Sequence, residues 1–574
     1  MAKLAHLKIS HFRGIESFEQ KFGDGITCII GRGDSGKSTI LDAIAYVFSQ
    51  SWSVHLNDSD FYKCDTSTPI IIEGTVVDIP SDLLDKFGEH IRGIREDGVI
   101  IDNMEAEDAT NAESTLTIQL MVTKDLEPSW LVVSNHGVEP TVIRATDRGK
   151  LNVFAVSDYT DRHFSMNKGN PLYSLYKQLN GEAVIDEENK VLDVIRDAKT
   201  AFDNSIGEKF DAVIDKIKTV ASTLGITLDE MKAMLDHRDI AISENKVSIH
   251  EKGIPFRLKG KGSKRLLSLA IQLALTQPSG VILIDEIEQG LEPDRVQHLV
   301  NVLSGFSDKQ VIITTHSRNV IVELPCDSLV IMRCGATSLL RVSGDIQQRT
   351  IRSNPDVFFA RKVIVCEGAT EIGIMRAINK FRILQNKQSA SCLGVAFADG
   401  TGNAMKYYVE GLNSLGYKTA LFCDSDPEGK EINDLKPVFR KNGISIMDCE
   451  DGYSIEGQVF KDMPWSIVKE LIAIHMNNRI KEEKDESIEQ SSKSILSSVK
   501  SKLNSQIVWS ENWMDSESPE LRNAISKTAG EKKWFKSVGY GIQLGDCLLS
   551  HYSELSEDCH LKKELDSLIN WIDE

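Results

Sequence analysis

Between Leu4 and Phe22, apolar and polar residues alternate on either side of Arg13-Gly14, which predicts an antiparallel hairpin. Gly25-Ile-Thr-Cys-Ile-Ile follows as a buried strand, and Thr39 to Phe48 repeats its apolar positions at helical spacing. Strand-like runs recur at Ile70–Val77, Thr117–Val122, Trp130–Val133 and Val153–Val156, with a polar, insertion-like stretch ending near Thr115. From Pro171 to about His237 the residues Leu175, Leu179, Val191, Val194, Ile195, Phe202, Phe210, Val213, Ile214 and Ile217 recur at threes and fours, which predicts a helical arm. A helix ends at Ser279-Gly280. Val281-Ile-Leu-Ile and Gln310-Val-Ile-Ile-Thr-Thr then lack polar alternation, as central strands buried on both faces do. Two more such runs, Lys362–Cys366 and Leu415–Cys423, open the second half. The charged stretch Ile480–Ser501 reads as a solvated helix or loop, and the residues after about Leu549 as a short helical tail.

A chain of 574 residues with 41% hydrophobic residues has room for several domains. It contains no run of eighteen apolar residues, and Met1-Ala-Lys-Leu-Ala-His-Leu-Lys-Ile is not a signal peptide, so a cytoplasmic protein without membrane contact is expected. The ten cysteines include no C-x-x-C pair, and Cys28, Cys366 and Cys423 sit inside apolar runs, which suits reduced, buried thiols rather than a zinc or disulfide framework. A formal charge of −19 argues against a generally basic nucleic-acid binder, while leaving room for a local basic groove and for carboxylate metal sites.

The candidate chemistry begins at Gly31-Arg32-Gly33-Asp34-Ser35-Gly36-Lys37-Ser38, followed by Thr39. It fits G-x-x-x-x-G-K-[ST], a phosphate-binding loop, and it has a strand before it and a helix after it. Lys37 is placed to reach the β- and γ-phosphates of ATP, and the Ser38 hydroxyl to ligate Mg²⁺. The strand Val281–Ile284 ends in Asp285 and Glu286, so Asp285 is expected to hold Mg²⁺ through water and Glu286 to polarise the attacking water. The strand from Gln310 ends in His316, a candidate contact to the γ-phosphate.

A second set of acids follows Arg361. Lys362–Cys366 delivers Glu367 into a glycine turn with Glu371 one helical turn later, and Leu415–Cys423 ends in Asp424-Ser-Asp426. Hard oxygen ligands in this pattern suit Mg²⁺ or Mn²⁺, and two such ions stabilise the attacking and leaving oxygens of a phosphodiester. Glu456, at the end of a short segment, is a third candidate acid. Asp399 in Phe397-Ala-Asp-Gly-Thr-Gly is either a site acid or a turn former, and Lys536 either stabilises a scissile phosphate, anchors a phosphate or lies on the surface.

Phe256-Arg-Leu-Lys-Gly260-Lys-Gly262-Ser263 opens a helix, and with the strand ending in Asp285-Glu286, the Gln289–Asp294 stretch and the histidine strand it resembles an ABC ATPase of the SMC/RecF type. In that family a signature loop of one protomer closes over ATP held by another, which implies a homodimer or higher homo-oligomer through the ATPase. Gly260, Gly262 and Ser263 are the nearest equivalents here to the usual Leu-Ser-Gly-Gly-Gln. Glu-Gly on one strand and D-x-D on a later one resemble the Toprim domain. The two together resemble the OLD (overcoming lysogenization defect) family across most of the chain.

The implied fold class is α/β: an ABC-type ATPase with an inserted helical dimerisation arm, then a Rossmann-like Toprim domain with a parallel sheet. The expected boundaries are 1–165 and 246–350 for the ATPase, 166–245 for the arm, 358–549 for Toprim and 550–574 for the tail. The resemblance implies an ATP-binding, metal-dependent DNA endonuclease of antiphage defence, stand-alone or paired with a helicase-like protein or with a reverse transcriptase and its RNA–DNA product. It implies metal binding by Glu367, Glu371, Asp424, Asp426 and Glu456, with Ser454 assisting and Lys536 as the nearby lysine. A non-cleaving ATP-dependent DNA clamp is the main alternative, and a Toprim primase or topoisomerase a second.

Overall fold

Val281-Ile-Leu-Ile has no polar position to turn toward water, and all four residues are buried in the middle of a parallel sheet. The computed structural model describes the chain apart from residues 1, 96–98, 102–111, 135–136, 157–162, 166–169, 181–206, 236–246, 276–279, 403, 426–429, 504–509 and 511. Two units result, Met1–Ser343 and Gly344–Glu574. No helix among the described residues is long and apolar enough to cross a membrane.

In the first unit, β1 (Ile26–Ile30) leads into the phosphate loop and α1 (Lys37–Val47). The sheet is completed by β2 (Val153–Val156), β3 (Val281–Ile284), β4 (Gln310–Thr314), β5 (Leu329–Ile331) and β6 (Leu340–Arg341), with α2 (Lys261–Leu275) preceding β3. The spatial order is β2-β3-β4-β1-β5-β6, parallel except for the last pair. Strands 3–12 and 15–21 form the hairpin, which continues into an antiparallel sheet through strands 70–77 and 113–122. One hydrophobic core joins the two sheets through Ile40, Ile44 and Val47 of α1 and Phe48 after it. Gly74 makes that approach possible, because a Cβ there would lie 2.4 Å from the Phe48 ring.

The predicted arm is helical at Pro171–Asn180 and Gly207–Thr223, with Tyr176 stacked on Phe210. Val191, Val194, Ile195 and Phe202 lie outside the described residues, as does Ser279. The helical reading fails at its end, because Met231–Leu235 is a strand paired antiparallel with Val247–Glu251. Gly225, at φ +73°, stops the preceding helix, and the Ile226 N–H returns to the Ala221 carbonyl. Met231 and Ala233 are then buried with Lys232 exposed, a period of two rather than 3.6.

The second unit is built on four parallel strands: β7 (Lys362–Cys366), β8 (Val395–Asp399), β9 (Lys418–Cys423) and β10 (Ser445–Asp448), in the order β8-β7-β9-β10. Helices α3 (Ala369–Leu384), α4 (Met405–Ser414) and α5 (Lys430–Lys441) connect them. A helical layer follows with α6 (Ile455–Asp462), α7 (Trp465–Lys481), helices 488–500 and 519–531, α8 (Val538–Ser550) and α9 (His560–Asp573). The Ile480–Ser501 stretch is not wholly solvated: Ile495, Leu496 and Val499 are buried. The tail expected after Leu549 is helical at α9, and its Leu561, Leu565, Leu568 and Trp571 belong to the same core as β7 and α3.

Helices α3 and α8 meet at glycines. A Cβ on Gly373 would lie 2.5 Å from the Gly541 backbone, and one on Gly545 would lie 2.6 Å from the Ala377 Cβ. We therefore expect Gly373→Ala to lower stability by about 1–3 kcal/mol despite its better helix propensity, because the clash is with backbone. Chemical denaturation checks this, and an unchanged or raised midpoint would show that the two helices can part freely.

Candidate functional site

In the first unit three neighbouring parallel strands, β1, β4 and β3, carry their charged groups to one edge. After β1, Gly31, Asp34 and Gly36 adopt positive φ, and a Cβ on Gly31 would fall 2.3 Å from the Met332 carbonyl oxygen, so the loop turns tightly. Arg32, Gly33, Ser38 and Thr39 complete it at partly or fully exposed positions, and the Ser35 hydroxyl is buried 3.5 Å from Lys37 Nζ. Lys37 Nζ donates to the Gly31 and Arg32 carbonyls at 3.0 and 2.8 Å. Burial lowers the Lys37 ammonium below its ordinary value, and Asp285, Glu286, Glu288 and Asp34 offset only part of that.

At the end of β3, the Thr314 hydroxyl of β4 donates to Asp285 Oδ1 and accepts the Glu286 N–H, the latter at 2.8 Å. Glu286 is exposed and its backbone lies in the left-handed region, at φ 44°. His316 is also exposed, and its N–H donates to Glu288 Oε1 at 2.6 Å, while the Thr315 hydroxyl donates to Glu288 Oε2 at 2.7 Å. Glu288 thus ties the turn after β3 to the turn after β4. Gly260 precedes α2, and Gly262 and Ser263 lie in its first turn. A Cβ on Gly262 would lie 2.5 Å from the Gly290 carbonyl oxygen, and buried Arg265 donates to the Glu286 carbonyl at 2.9 Å and also to the Asp285 carbonyl and Gln289. Sequence reasoning missed Glu288, Arg265 and Thr314, whose roles depend on contacts across strands.

In the second unit β7 and β9 are adjacent and in register, with Cys366 opposite Phe422, so the residues following them meet. Glu367 Oε2 accepts the Asp424 N–H at 2.9 Å. Asp424 Oδ1 accepts the Ile455 N–H at 2.7 Å, Glu371 Oε2 accepts the Gly368 N–H at 2.9 Å, and the Thr370 hydroxyl lies 3.2 Å from Glu456 Oε1. Glu456 belongs to the first turn of α6, not to the end of a segment, and Ser454 caps that helix by accepting the Gly457 N–H. Asp399 is exposed, and its Oδ1 accepts the Thr401 N–H, the turn-forming alternative. Asp426 lies outside the described residues.

Glu371, Glu456 and Asp424 are only 1, 4 and 7% exposed. Burial, with Glu456 and Glu367 adding repulsion, pushes the Glu371 carboxyl up to about 8. Burial likewise raises Asp424 and Glu456. Lys536 stands in this pocket: a Cβ on Gly368 would lie 3.6 Å from Lys536 Nζ and 3.7 Å from Glu371 Oε2. Burial would lower its ammonium, but Glu371, Glu456, Asp424 and Glu367 outweigh that and hold it above its ordinary value. Glu367, Glu371 and Asp424 each accept a backbone N–H on one oxygen, and the Thr370 hydroxyl stands 3.2 Å from both Glu456 Oε1 and the Phe535 carbonyl. A buried all-oxygen donor set of net negative charge fits Mg²⁺ or Mn²⁺.

Sequence reasoning also missed Lys436. Its buried Nζ donates to the Asp424 carbonyl at 3.1 Å and Ser425 Oγ at 2.7 Å, and lies 2.9 Å from Asp448 Oδ2, which holds the loop after β9 against β10. A signal existed, since Lys436 shares the buried stripe of α5 with Ile432 and Phe439.

A family model described as "AAA domain, putative AbiEii toxin, Type IV TA system" matches residues 26–323, and one described as "Overcoming lysogenization defect protein-like, TOPRIM domain" matches residues 358–426. No curated protein matches the chain. Among solved structures the chain is similar to the Smc head domain with an extended coiled coil bound to the C-terminal domain of ScpA, derived from Pyrococcus furiosus. The identity is 14%, over 60% of this chain and 97% of that one, with a TM-score of 0.36. It is also similar to the SMC head domain from Thermotoga maritima, at 16% identity over 60% and 100% of the two chains with a TM-score of 0.29. The recombination mediator protein RecF with ATP is 16% identical over 59% and 98%, with a TM-score of 0.35.

A glutamate that keeps its proton up to about 8 when folded, against an ordinary 4.5, makes the folded state bind a proton that the unfolded chain has released. Without divalent ions the second unit is therefore expected to lose stability as pH rises through that window. Mn²⁺ should restore it, and Glu371→Gln should flatten both responses. Thermal denaturation with chelator or Mn²⁺ across the window checks this; an equally steep pH dependence in Glu371→Gln would contradict it.

Proposed function

We propose that this chain, which belongs to the AAA-domain ATPase family and carries an OLD-like Toprim domain behind the ATPase, is an ATP-binding, metal-dependent DNA endonuclease. The observation that carries this reading is the pocket at the carboxyl edge of the second parallel sheet, where Glu367, Glu371, Asp424 and Glu456 converge on Lys536. Glu367, Glu371, Asp424 and Glu456, with Asp426, would hold Mg²⁺ or Mn²⁺. Such ions, when bound, neutralise a phosphodiester and lower the cost of charge on the attacking and leaving oxygens. Lys536 supplies an ammonium where negative charge builds on the phosphate. Lys436 keeps the loop of Asp424 in place from behind, through the Asp424 carbonyl and Ser425.

In the ATPase, Lys37 and the loop backbone would bind the phosphates of ATP, with Ser38 and Asp285 holding Mg²⁺. Glu286 orients the attacking water, and His316 reads the γ-phosphate. Support comes from their placement on the edges of β1, β3 and β4 and from Glu288, which ties the turn carrying His316 to the turn carrying Glu286. Following the resemblance to SMC/RecF ATPases, a second copy of this chain would close over the nucleotide through Gly260, Gly262 and Ser263, and nucleotide state would gate cleavage. Antiphage defence, alone or with a helicase-like or reverse transcriptase partner, is the setting this reading favours.

Supercoiled plasmid incubated with Mg²⁺ or Mn²⁺, with and without ATP, tests the reading. Wild type should cut, Asp424→Ala should abolish cutting while still binding ATP, and Lys536→Ala should slow cutting by about a hundredfold or more. Lys37→Ala should lose ATP binding and the response of cleavage to ATP. A wild type that binds DNA and never cuts it would point to a clamp, and cleavage indifferent to both ATP and Lys37→Ala would remove nucleotide control.

A further inference from the structure

Away from both sites, three side chains of unlike chemistry converge in the second unit. Glu470 comes from α7 and Cys547 from the last turn of α8, with His551 capping that helix one turn later. A carboxylate oxygen, the thiol sulfur and a ring nitrogen lie within 4.8 Å of one another, and no other trio of His, Cys, Asp or Glu among the described residues does so. The spacing of four between Cys547 and His551 stacks them on one face of α8, and Glu470 is brought to them from a different helix. No C-x-x-C spacing could have revealed this.

The imidazole is oriented for ligation. His551 Nδ1 lies 2.7 Å from Glu554 Oε1, and Nε2 lies 3.3 Å from Glu470 Oε2. A neutral ring donates through one nitrogen only. Whichever nitrogen carries the single proton, the other faces a carboxylate oxygen, and Glu554 and Glu470 together raise the ring's hold on a second proton, so the arrangement calls for a cation, a proton or a metal ion, at the ring. A proton would serve for an ion pair. Cys547 adds a buried soft donor at the same point; burial and its hydrogen bond to Glu470 push the thiol up to about 12, so a metal binding here would displace the thiol proton, and a carboxylate behind the ring is the usual support of a metal-bound histidine. Thiolate, carboxylate and neutral imidazole together suit a dication of the zinc class, whereas Mg²⁺ prefers oxygen alone. Glu470 and Cys547 also line a hollow of about 390 Å³ with Ile474, Asn478, Lys481 and Gln543, which gives a small ligand a way in.

We infer that Glu470, Cys547 and His551 form a transition-metal site of the Zn²⁺ class, separate from the nuclease carboxylates, with Glu554 orienting the histidine and a fourth position open to water. The ion staples α7 to α8. Because Gly541 and Gly545 of α8 lie directly against α3, and α3 carries Thr370 and Glu371, the staple stiffens one wall of the carboxylate pocket.

The test uses the full chain, stripped with chelator and then held in excess Mg²⁺ so that the oxygen site is satisfied, and titrates it with Co²⁺ as a spectroscopic stand-in. The expected result is one equivalent bound, with a thiolate-to-cobalt charge-transfer band that Zn²⁺ abolishes. Cys547→Ser should lose the band, His551→Gln should weaken binding more than about tenfold while leaving the thiol in place, and Asp424→Ala should bind as wild type. Far-ultraviolet circular dichroism of each variant, matching wild type, accompanies the titration. No band in wild type, meaning an ion pair only, would overturn the inference. So would a band that survives unchanged in both Cys547→Ser and His551→Gln.

Discussion

The second unit depends on the mutual repulsion of carboxylates that water barely reaches. At about 4 Å and a protein-like dielectric, two like charges repel by roughly 4 kcal/mol. Glu371, Asp424 and Glu456, with partly buried Glu367 beside them, face the Lys536 ammonium, so full ionisation is unfavourable and Glu371 keeps its proton up to about 8. Several neighbouring features make sense as restraints on this arrangement. Backbone N–H groups of Gly368, Asp424 and Ile455 each pin one oxygen, and Lys436 braces the Asp424 loop from the other side. The glycine contacts between α3 and α8 bring Thr370 and Glu371 close to the start of α8, which Lys536 just precedes.

Both units use one construction. Parallel strands that cannot show a polar face to water carry their polar residues just past their carboxyl ends, and neighbouring strands place those residues side by side. In the first unit the strand carrying His316 lies between the strand of the phosphate loop and the strand of Asp285 and Glu286, so the three turns stand side by side at one edge. Glu288 and Thr314 are the cross-links between two of them, and Arg265 extends the linkage to the helix that opens with Gly262. The left-handed backbone at Glu286 shows that this turn is held by its neighbours rather than by its own preference.

What was legible in the sequence was local. The phosphate loop is a contiguous text, and apolar runs ending in acids identify both β3 and β9 because side-chain periodicity reports burial directly. Glu367 and Asp424 were legible for the same reason, as residues that terminate such runs. Glu288, Arg265, Lys436 and Thr314 were not, because each acts on a segment far away in the chain, and a lone polar residue in a helix or strand looks the same with or without a partner. The arm was overextended because apolar residues near Met231 satisfy both periods over so short a run, and Gly225 was the stop signal that separates them. The C-terminal tail was legible as a helix but its partner was not, because an amphipathic pattern says that one face is buried without saying against what.

On the proposed function the buried carboxylates would hold two divalent ions rather than persist as a protonated acidic core. Anomalous diffraction from crystals of the full chain grown with Mn²⁺ tests it most directly. The account predicts two Mn²⁺ peaks about 4 Å apart, ligated by Glu367, Glu371, Asp424 and Glu456 and close to Lys536. A carboxylate pocket that stays free of manganese at saturating concentration, at a pH well above that at which Glu371 gives up its proton, would contradict it.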